Sequence, residues 1–476
     1  MKDIVIRKTD VLIIGAGVVG AAAAMFLSQY EIGCVVLDKA SDVSEGTSKA
    51  NSGILHAGYD CHPGTLKAKL NLEGLEMFRL LATQLEIPHR MNGSLVITLE
   101  QNGADSLDFL VKRGAKNNVP NLEVLSGDDA RILEPNLSLN VTAALRAKNA
   151  GIVSPYEAVI AMCENAAQHG VEFFLETNVM GITRSDGYVI HTSRGDFSAK
   201  IVINCAGVKS GEINNMVSES KQSISSQKGE YFLVDNTQKD LVHHTIFQLP
   251  THHGKGVLVA PTVDYNVLFG PTALLTEDSS DTSTTLSGQK DILAMANLAL
   301  KDVPTHDIIT AFSGVRAKHA SKDFVINEPL PGFINAIGID SPGLTAAPAI
   351  GKMLAEMALS RQEAKKKSNY NPHRPAIKRF KDIEDKERAI RSNPKYGRIL
   401  CRCETISEAE IVDSIHRPVG AKNLDGIKRR TRAQMGRCQG GFCTIQIMEV
   451  LAQNLKLSDV SITKNGCCSE IAFDNP

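Results

Sequence analysis

The segment Asp10-Val-Leu-Ile-Ile-Gly15-Ala-Gly17-Val-Val-Gly20 constrains the architecture of this chain more than any other. Four apolar residues run into a glycine, and an alanine-rich stretch follows the third glycine. The apolar run predicts a strand buried on both faces, and the alanine-rich stretch predicts a helix. Gly15 permits the tight turn between them. Gly17 lets a pyrophosphate approach the backbone, and Gly20 lets the helix lie close on the strand. The helix N-terminus then offers N–H groups and the positive end of its dipole to phosphate. A second apolar strand, Cys34–Leu37, ends in Asp38, at the separation expected of an acid that binds ribose hydroxyls. Together these features predict a dinucleotide site on a Rossmann-type unit. The spacing alone does not decide between FAD and NAD.

The chain has 476 residues, enough for two to four domains. It is 43% hydrophobic and 22% charged, as in an ordinary globular enzyme. A formal net charge of -1 gives no global attraction to nucleic acid or anionic lipid. The apolar run Val11–Leu27 is broken by Gly15, Gly17 and Gly20, so a membrane-spanning helix is not expected, nor is a secretory leader ahead of it. A cytoplasmic enzyme is expected, peripheral to a membrane only through a partner. Periodicity predicts helices over 64–85, 155–170 and 347–359. It predicts strands over 93–99, 171–176, 188–192, 200–205, 230–234, 256–260 and 332–339. Residues 361–395 are rich in Lys, Arg, Asn and Pro and read as a polar connector with some helix. A small domain, 396–476, follows.

Residues Glu45–Asp60 read EGTSKANSGILHAGYD. Further landmarks are Ile201-Val-Ile-Asn-Cys-Ala-Gly207, Gly270-Pro-Thr-Ala273, Ser313-Gly-Val-Arg316 and Ile339-Asp-Ser-Pro-Gly-Leu-Thr345. On these residues the chain up to about position 360 resembles the D-amino-acid-oxidase-type superfamily of flavoproteins. Within it, the chain is similar to the FAD-dependent glycerol-3-phosphate dehydrogenases and the L-2-hydroxyglutarate dehydrogenases. The resemblance implies FAD as cofactor and an α/β fold. A Rossmann-type FAD-binding domain (1–85, 150–215, 330–360) would be interleaved with a mixed-sheet α+β substrate domain (86–149, 216–329). It places FAD against Gly15, Gly17, Gly20, Asp38, Lys39, Thr47, Ser48, Asn51, Ser52, Gly53, Val179, Ala206, Gly207, Gly343, Leu344 and Thr345. The residue types agree. Thr47–Gly58 is rich in Ser, Asn and Gly, suited to laying backbone against a flat ring. Ala206-Gly207 follows an apolar strand, where open α/β sheets bind ligands. Ser341–Thr345 lies between a strand and a helix, and its N–H groups could stabilise charge at the N1–C2 carbonyl edge of a reduced flavin. Val179 as an adenine contact rests on the resemblance alone.

The superfamily oxidises a C–H bond beside nitrogen or oxygen in small anionic substrates. Arginine suits such an anion because its fork bonds carboxylate or phosphate oxygens bidentately, and Arg316 matches the family's anion-binding arginine. His56 matches the histidine of the NSG-x-x-H segment. It has two readings, a base for the substrate hydroxyl or a residue that packs on or bonds to the flavin. Lys228 and His253 are weaker substrate-binding candidates, with a solvated loop as the alternative for each. Glycerol-3-phosphate dehydrogenases usually carry Gly-Gly-Lys-x-x-Thr-Tyr-Arg where this chain has Asp340-Ser-Pro-Gly-Leu-Thr-Ala-Ala. The phosphate-side lysine and arginine are missing. That segment, and His56–Lys69 (HAGYDCHPGTLKAK), look more like the 2-hydroxyglutarate branch.

Six of the ten cysteines crowd into the last 76 residues. Cys34, Cys61, Cys163 and Cys205 are scattered and read as small buried hydrophobes. Cys401-Arg-Cys403 and Cys438-Gln-Gly-Gly-Phe-Cys443 make two close pairs separated by 34 residues. Four thiolates suit zinc or an iron–sulfur cluster, and a one-residue gap is less usual for structural zinc. Ser407-Glu-Ala-Glu410 is a capping box. A second helix, with Ile445, Met448, Leu451 and Leu455 on one face, starts at the second pair. Lys428, Arg429, Arg430, Arg432 and Arg437 would place positive charge near a negative cluster. A nucleic-acid patch is the alternative for that run, although no aromatic residue interleaves it. The stretch KRRTRAQMGRCQGGFC is similar to the bacterioferritin-associated-ferredoxin-like 2Fe–2S domain at the C-terminus of anaerobic glycerol-3-phosphate dehydrogenase large subunits and of amine- or opine-oxidising relatives. The similarity implies a small, mainly helical iron–sulfur domain with a 2Fe–2S cluster on Cys401, Cys403, Cys438 and Cys443. Electrons would pass to a partner protein or quinone-linked subunit. The chain therefore reads as a dehydrogenase of a small anionic alcohol, foremost sn-glycerol 3-phosphate. L-2-hydroxyglutarate, another 2-hydroxy acid or an amine is the alternative substrate. A reading of another class is an electron-transfer subunit without substrate chemistry. Cys467-Cys468 has no role in any of these.

Overall fold

The computed structural model describes residues 6–249, 256–380 and 382–472. His253 lies outside them. The apolar run of the opening motif forms the strand Arg7–Ile14, with Val11, Leu12 and Ile13 fully buried. It pairs in parallel with Cys34–Leu37 on one side and Phe197–Asn204 on the other. Glu172–Phe174 continues the parallel order beyond Cys34–Leu37, and Phe333–Ile337 runs parallel to Phe197–Asn204. A meander of Val179–Ser185, Gly187–Thr192 and Phe197–Asn204 adds an antiparallel wing to this eight-stranded sheet. Helices Val18–Leu27, Pro155–Gln168, Leu66–Gln84 and Gly343–Arg361 pack beside it and on one another. Small residues let them approach. A Cβ on Gly351 would lie 2.5 Å from the Ala22 Cβ, so the helix Gly343–Arg361 can rest directly on Val18–Leu27.

The second sheet has nine strands and is mostly antiparallel. Its long pair is Ile224–Val234 with Ile308–His319, in register from Ile224↔His319 through Gln227↔Arg316 to Leu233↔Thr310. Side chains alternate along a strand, so this register sorts residues onto two faces. Phe232 lies on the face covered by the helix Leu286–Ala299 and shares a core with Ile292 and Ala296. Gln227, Gly229, Tyr231, Phe312, Gly314 and Arg316 lie on the other. The Tyr231 and Phe312 rings stack there, 4.9 Å apart and 9° from parallel.

The polar connector is a strap rather than a loose linker. The Glu31 N–H donates to the Lys365 carbonyl at 2.8 Å, and the Lys367 N–H to the Gln29 carbonyl at 2.8 Å. Arg374 is 4% exposed, and its Nε donates to Glu164 at 2.6 Å. A helix, Ile383–Ser392, then leads to the C-terminal domain. That domain has a short hairpin (Ile399–Cys401, Ile406–Ser407) and helices Glu408–His416, Leu424–Thr431 and Thr444–Leu455. The capping box at Ser407 and Glu410 forms with both of its bonds. The third helix departs from its sequence reading. Ile447, Met448, Val450 and Leu451 face the core, and Ile445 is 72% exposed. The buried stripe follows Ile447 and Leu451, four apart, and Ile445 falls outside it.

The basic run has a role that the sequence did not show: its arginines dock the domain on the rest of the chain. Arg430 Nη1 and Nη2 donate to the two Asp42 carboxylate oxygens at 2.7 and 2.8 Å. Arg429 Nη2 reaches Asp42 at 2.7 Å and Glu45 at 2.7 Å. Arg432 bonds Asp264 and Glu404, each at 2.8 Å, and Arg437 bonds Asp235 and Asp307 at 3.2 and 2.9 Å. Arg417 joins Arg374 on the buried Glu164. Burial acts to raise the Asp42 carboxyl, but the guanidiniums of Arg430 and Arg429 outweigh it and hold it below the usual carboxylate range. A carboxylate depressed in this way stabilises the folded state above its unfolded value of about 3.9. The contribution is lost only as pH falls through the lower folded value. Breaking one partner of a buried pair leaves the other charge uncompensated, at a cost of about 3–5 kcal/mol. Arg430→Met should therefore destabilise the docked chain by about that much at pH 7. Urea titration followed by cluster and flavin absorbance should then show two separated transitions.

Candidate active site

The dinucleotide turn has the expected geometry. Gly15 takes φ +109°, and a Cβ there would lie 2.5 Å from the Cys205 carbonyl oxygen. A Cβ on Gly20 would lie 1.9 Å from the Gly15 carbonyl oxygen, so only glycine lets this helix start where it does. Asp38 does more than the sequence suggested. Its Oδ2 accepts from the Ala16 N–H at 2.7 Å and its Oδ1 from the Ala40 N–H at 2.8 Å, so it also braces the turn. Ser48 Oγ accepts from the Val18 N–H at 2.9 Å, which brings the second FAD segment onto the first helix turn. Asn51 folds its segment back on itself. Its Nδ2 donates to the Thr47 and Ser48 carbonyls, each at 3.0 Å, and its Oδ1 accepts from the Gly53 N–H at 2.9 Å. Ala206-Gly207 sits at the C-terminal end of Phe197–Asn204, and a Cβ on Gly207 would meet nothing within 4 Å. Val179 begins its strand with a buried side chain. The closely packed Gly15 and Gly20, beside the open space at Gly207, form a cradle that fits a dinucleotide at the strand ends.

His56 follows the short strand Ile54–Leu55. Its N–H donates to Thr345 Oγ1 at 2.9 Å, and its carbonyl accepts from Asn71 Nδ2 at 3.0 Å. Thr345 is fully buried at the start of the helix that Gly343 and Leu344 open, so the His56 backbone is held from two sides. The ring stands 5.7 Å from that of Phe247, and its Nε2 lies 3.4 Å from Ser341 Oγ. Ser341 is thereby a site residue that the sequence pointed to only as backbone. Lys67, the second residue of its helix, pairs with Asp340 beside it.

Arg316 is brought to the same side by the sheet register. Thr47 Oγ1 donates to the Val315 carbonyl, and a Cβ on Gly314 would lie 2.1 Å from the Ala50 carbonyl oxygen. The strand carrying Arg316 thus rests on the FAD segment. The guanidinium runs over Gly229, where a Cβ would lie 2.7 Å from Nη2. Its Nη1 lies 3.4 Å from Gln227 Oε1, and it forms no ion pair among the described residues. Lys228 is neither a solvated loop residue nor a neighbour of Arg316. It is 5% exposed in the strand, and its ammonium bonds Asp281 at 2.6 Å on the opposite face. Pro342 and Ala347 stand where the resemblance places the phosphate-side lysine and arginine, and Ala347 is fully buried in the helix core.

The four cysteines converge as two pairs, Cys401 with Cys443 and Cys403 with Cys438. The Cys443 thiol donates to Cys401, and with the Gln434 and Glu404 N–H groups this brings the Cys401 thiol down to about 6. Phe442 and Gly440 direct N–H groups at Cys438. A Cβ on Gly436 would lie 2.3 Å from that of Cys403, so this glycine lets the two loops close. Among the described residues no three such ligands surround a single point. Two pairs supplying two thiolates each fit a two-iron cluster.

Residues 10–357 match the family described as FAD dependent oxidoreductase. The chain belongs to that family. Residues 399–453 match the BFD-like [2Fe-2S] binding domain, so the cofactors are FAD and a 2Fe–2S cluster. A glycerol 3-phosphate dehydrogenase of Caloramator mitchellensis is 44% identical over 462 residues, covering 96% of each chain. The mitochondrial L-2-hydroxyglutarate dehydrogenase of Arabidopsis thaliana is 27% identical, over 74% of this chain and 84% of its own. The solved FAD-bound L-alpha-glycerophosphate oxidase of Mycoplasma pneumoniae superimposes with a TM-score of 0.73 at 30% identity. It is matched over 99% of its length yet covers 78% of this chain. Among the described residues no helix is long and apolar enough to cross a membrane.

Proposed function

We propose that this flavoprotein oxidises sn-glycerol 3-phosphate and exports the electrons through its cluster to a partner protein or quinone-linked subunit. The observation that carries this is the similarity to a glycerol 3-phosphate dehydrogenase over 96% of both chains, cluster domain included. Bound FAD supplies the hydride acceptor. Arg316, unpaired by any carboxylate among the described residues, holds the substrate anion by its fork. His56 Nε2 receives the hydroxyl proton, with Ser341 Oγ orienting the same oxygen. Phe247 backs the imidazole and keeps water from that side. Gly15, Gly17, Gly20, Asp38 and Lys39 hold the adenosine and pyrophosphate, with Val179 at adenine. Thr47, Ser48, Asn51, Ser52, Gly53, Ala206, Gly207, Gly343, Leu344 and Thr345 line the rest of FAD. Cys401, Cys403, Cys438 and Cys443 hold the cluster. The FAD-binding domain comprises 1–85, 150–215 and 330–360, and the substrate domain 86–149 and 216–329. The enzyme works in the cytoplasm, at a membrane only through its acceptor.

One observation favours a 2-hydroxy acid instead. Pro342 and buried Ala347 leave the start of this helix without a cation for a phosphate. Anaerobic bleaching of the flavin band decides between them. With sn-glycerol 3-phosphate and L-2-hydroxyglutarate in parallel, bleaching by the phosphate ester is expected, followed by cluster reduction. Bleaching by hydroxyglutarate alone would overturn the proposal in favour of the other branch. Bleaching by neither would move the function to an amine substrate or to electron transfer only.

A further inference from the structure

The pair Cys467-Cys468 takes no part in the cluster. Neighbouring side chains on an extended chain point apart. Here Cys468 adopts φ +64°, a conformation uncommon outside glycine, and the two sulfurs stand 3.1 Å apart. Both residues are exposed. The turn is held by its own bonds. Thr463 bridges to Glu470, the Lys464 N–H donates to the Ser469 carbonyl at 2.8 Å, and Ser469 Oγ donates to the Gly466 carbonyl at 2.6 Å. The loop is also seated on the flavin domain. A Cβ on Gly466 would lie 2.6 Å from Ser41 Oγ, one residue before Asp42 and three after Asp38.

The other cysteines outside the cluster offer a contrast. Burial pushes the Cys34, Cys61 and Cys205 thiols up to about 12, which keeps them protonated and unreactive. Thiol–disulfide exchange needs an accessible thiolate and a second thiol within reach. Cys467 and Cys468 meet the requirements of access and proximity.

We propose that Cys467 and Cys468 are a redox modification site, a vicinal dithiol that a small disulfide oxidises to an intrachain Cys467–Cys468 disulfide. One thiolate attacks the small disulfide, forming a mixed disulfide and releasing one small thiol. The neighbouring thiolate then displaces the second. The two protein thiols lose two hydrogens in all, and the small disulfide becomes two thiols. Consecutive Cα atoms are about 3.8 Å apart, shorter than the usual disulfide range of about 4.4–6.8 Å. The ring is therefore strained, and strained exposed disulfides are the readily reduced ones.

The test uses the holoprotein with oxidised glutathione, alkylation of remaining thiols and a non-reducing peptide map. The peptide following Lys464 should lose two hydrogens, recover them with dithiothreitol, and do so while cluster absorbance is retained. Cys468→Ser should instead trap a glutathione adduct on Cys467, the intermediate that wild type resolves. Full alkylation of both cysteines after treatment, or stable adducts on both in wild type, would overturn the proposal.

Discussion

Replacing His56 with asparagine should lower kcat by about 10²–10⁴-fold, the usual contribution of a positioned general base. The backbone bonds from Thr345 and Asn71 do not involve the ring, so the segment should keep its place and FAD should stay bound. The pH profile separates the two readings of this residue. A base gives kcat/KM an acid limb from imidazole protonation, and His56→Asn should flatten it. A histidine that only packs against Phe247 or the flavin would leave the limb in place and alter the flavin spectrum instead. Ser341→Ala tests the same geometry from the other side. It should raise KM more than it lowers kcat, because an orienting hydroxyl contributes to binding in both states.

How much of this was legible in the sequence depends on how local each feature is. The glycine turn and the strand ending in Asp38 are each written within a few residues and were found where expected, whereas the cysteines pair across the two local motifs, Cys401 with Cys443 and Cys403 with Cys438. The docking role of Arg429 and Arg430 was not legible. Their partner Asp42 is 387 and 388 residues away, and a run of arginines looks the same whether it meets a cluster, a nucleic acid or a buried carboxylate. The same holds for the strap, whose Arg374 reads as connector until Glu164 is placed against it. Lys228 shows a different limit. Its strand was visible from 230 onward, but which face it occupies depends on the pairing of Gln227 with Arg316. Glycines 229 and 314 carried a signal that could have been used. Two small residues opposite one another, next to a candidate anion-binding arginine, mark a place where backbone and guanidinium approach closely. Ile445 failed for a simpler reason. Positions 445, 448, 451 and 455 share a helical face on paper, but the buried stripe runs through Ile447 and Leu451, and tertiary packing chose the phase.

Arg316→Ala is the second large effect, and its size follows from what the guanidinium lacks. Most arginines that dock the cluster domain are matched by carboxylates, whereas Arg316 has only Gln227 Oε1 at 3.4 Å among the described residues. A cation left without a charged partner beside a candidate FAD site supplies its binding energy to an incoming anion. Truncating one member of a hydrogen-bonded charge pair costs about 2–5 kcal/mol, so kcat/KM should fall by about 30- to 4,000-fold. The loss should appear in KM first, with FAD content unchanged, since no backbone bond depends on the side chain. Arg316→Lys should recover only part of it. An ammonium keeps the charge but loses the fork that matches two phosphate or carboxylate oxygens. Gly229→Ala should mimic the loss without removing the charge, because the added methyl occupies the space over which the guanidinium lies. If Arg316→Ala left bleaching by substrate unchanged while cluster reduction by a supplied reductant also continued, the anion site would have to be sought elsewhere.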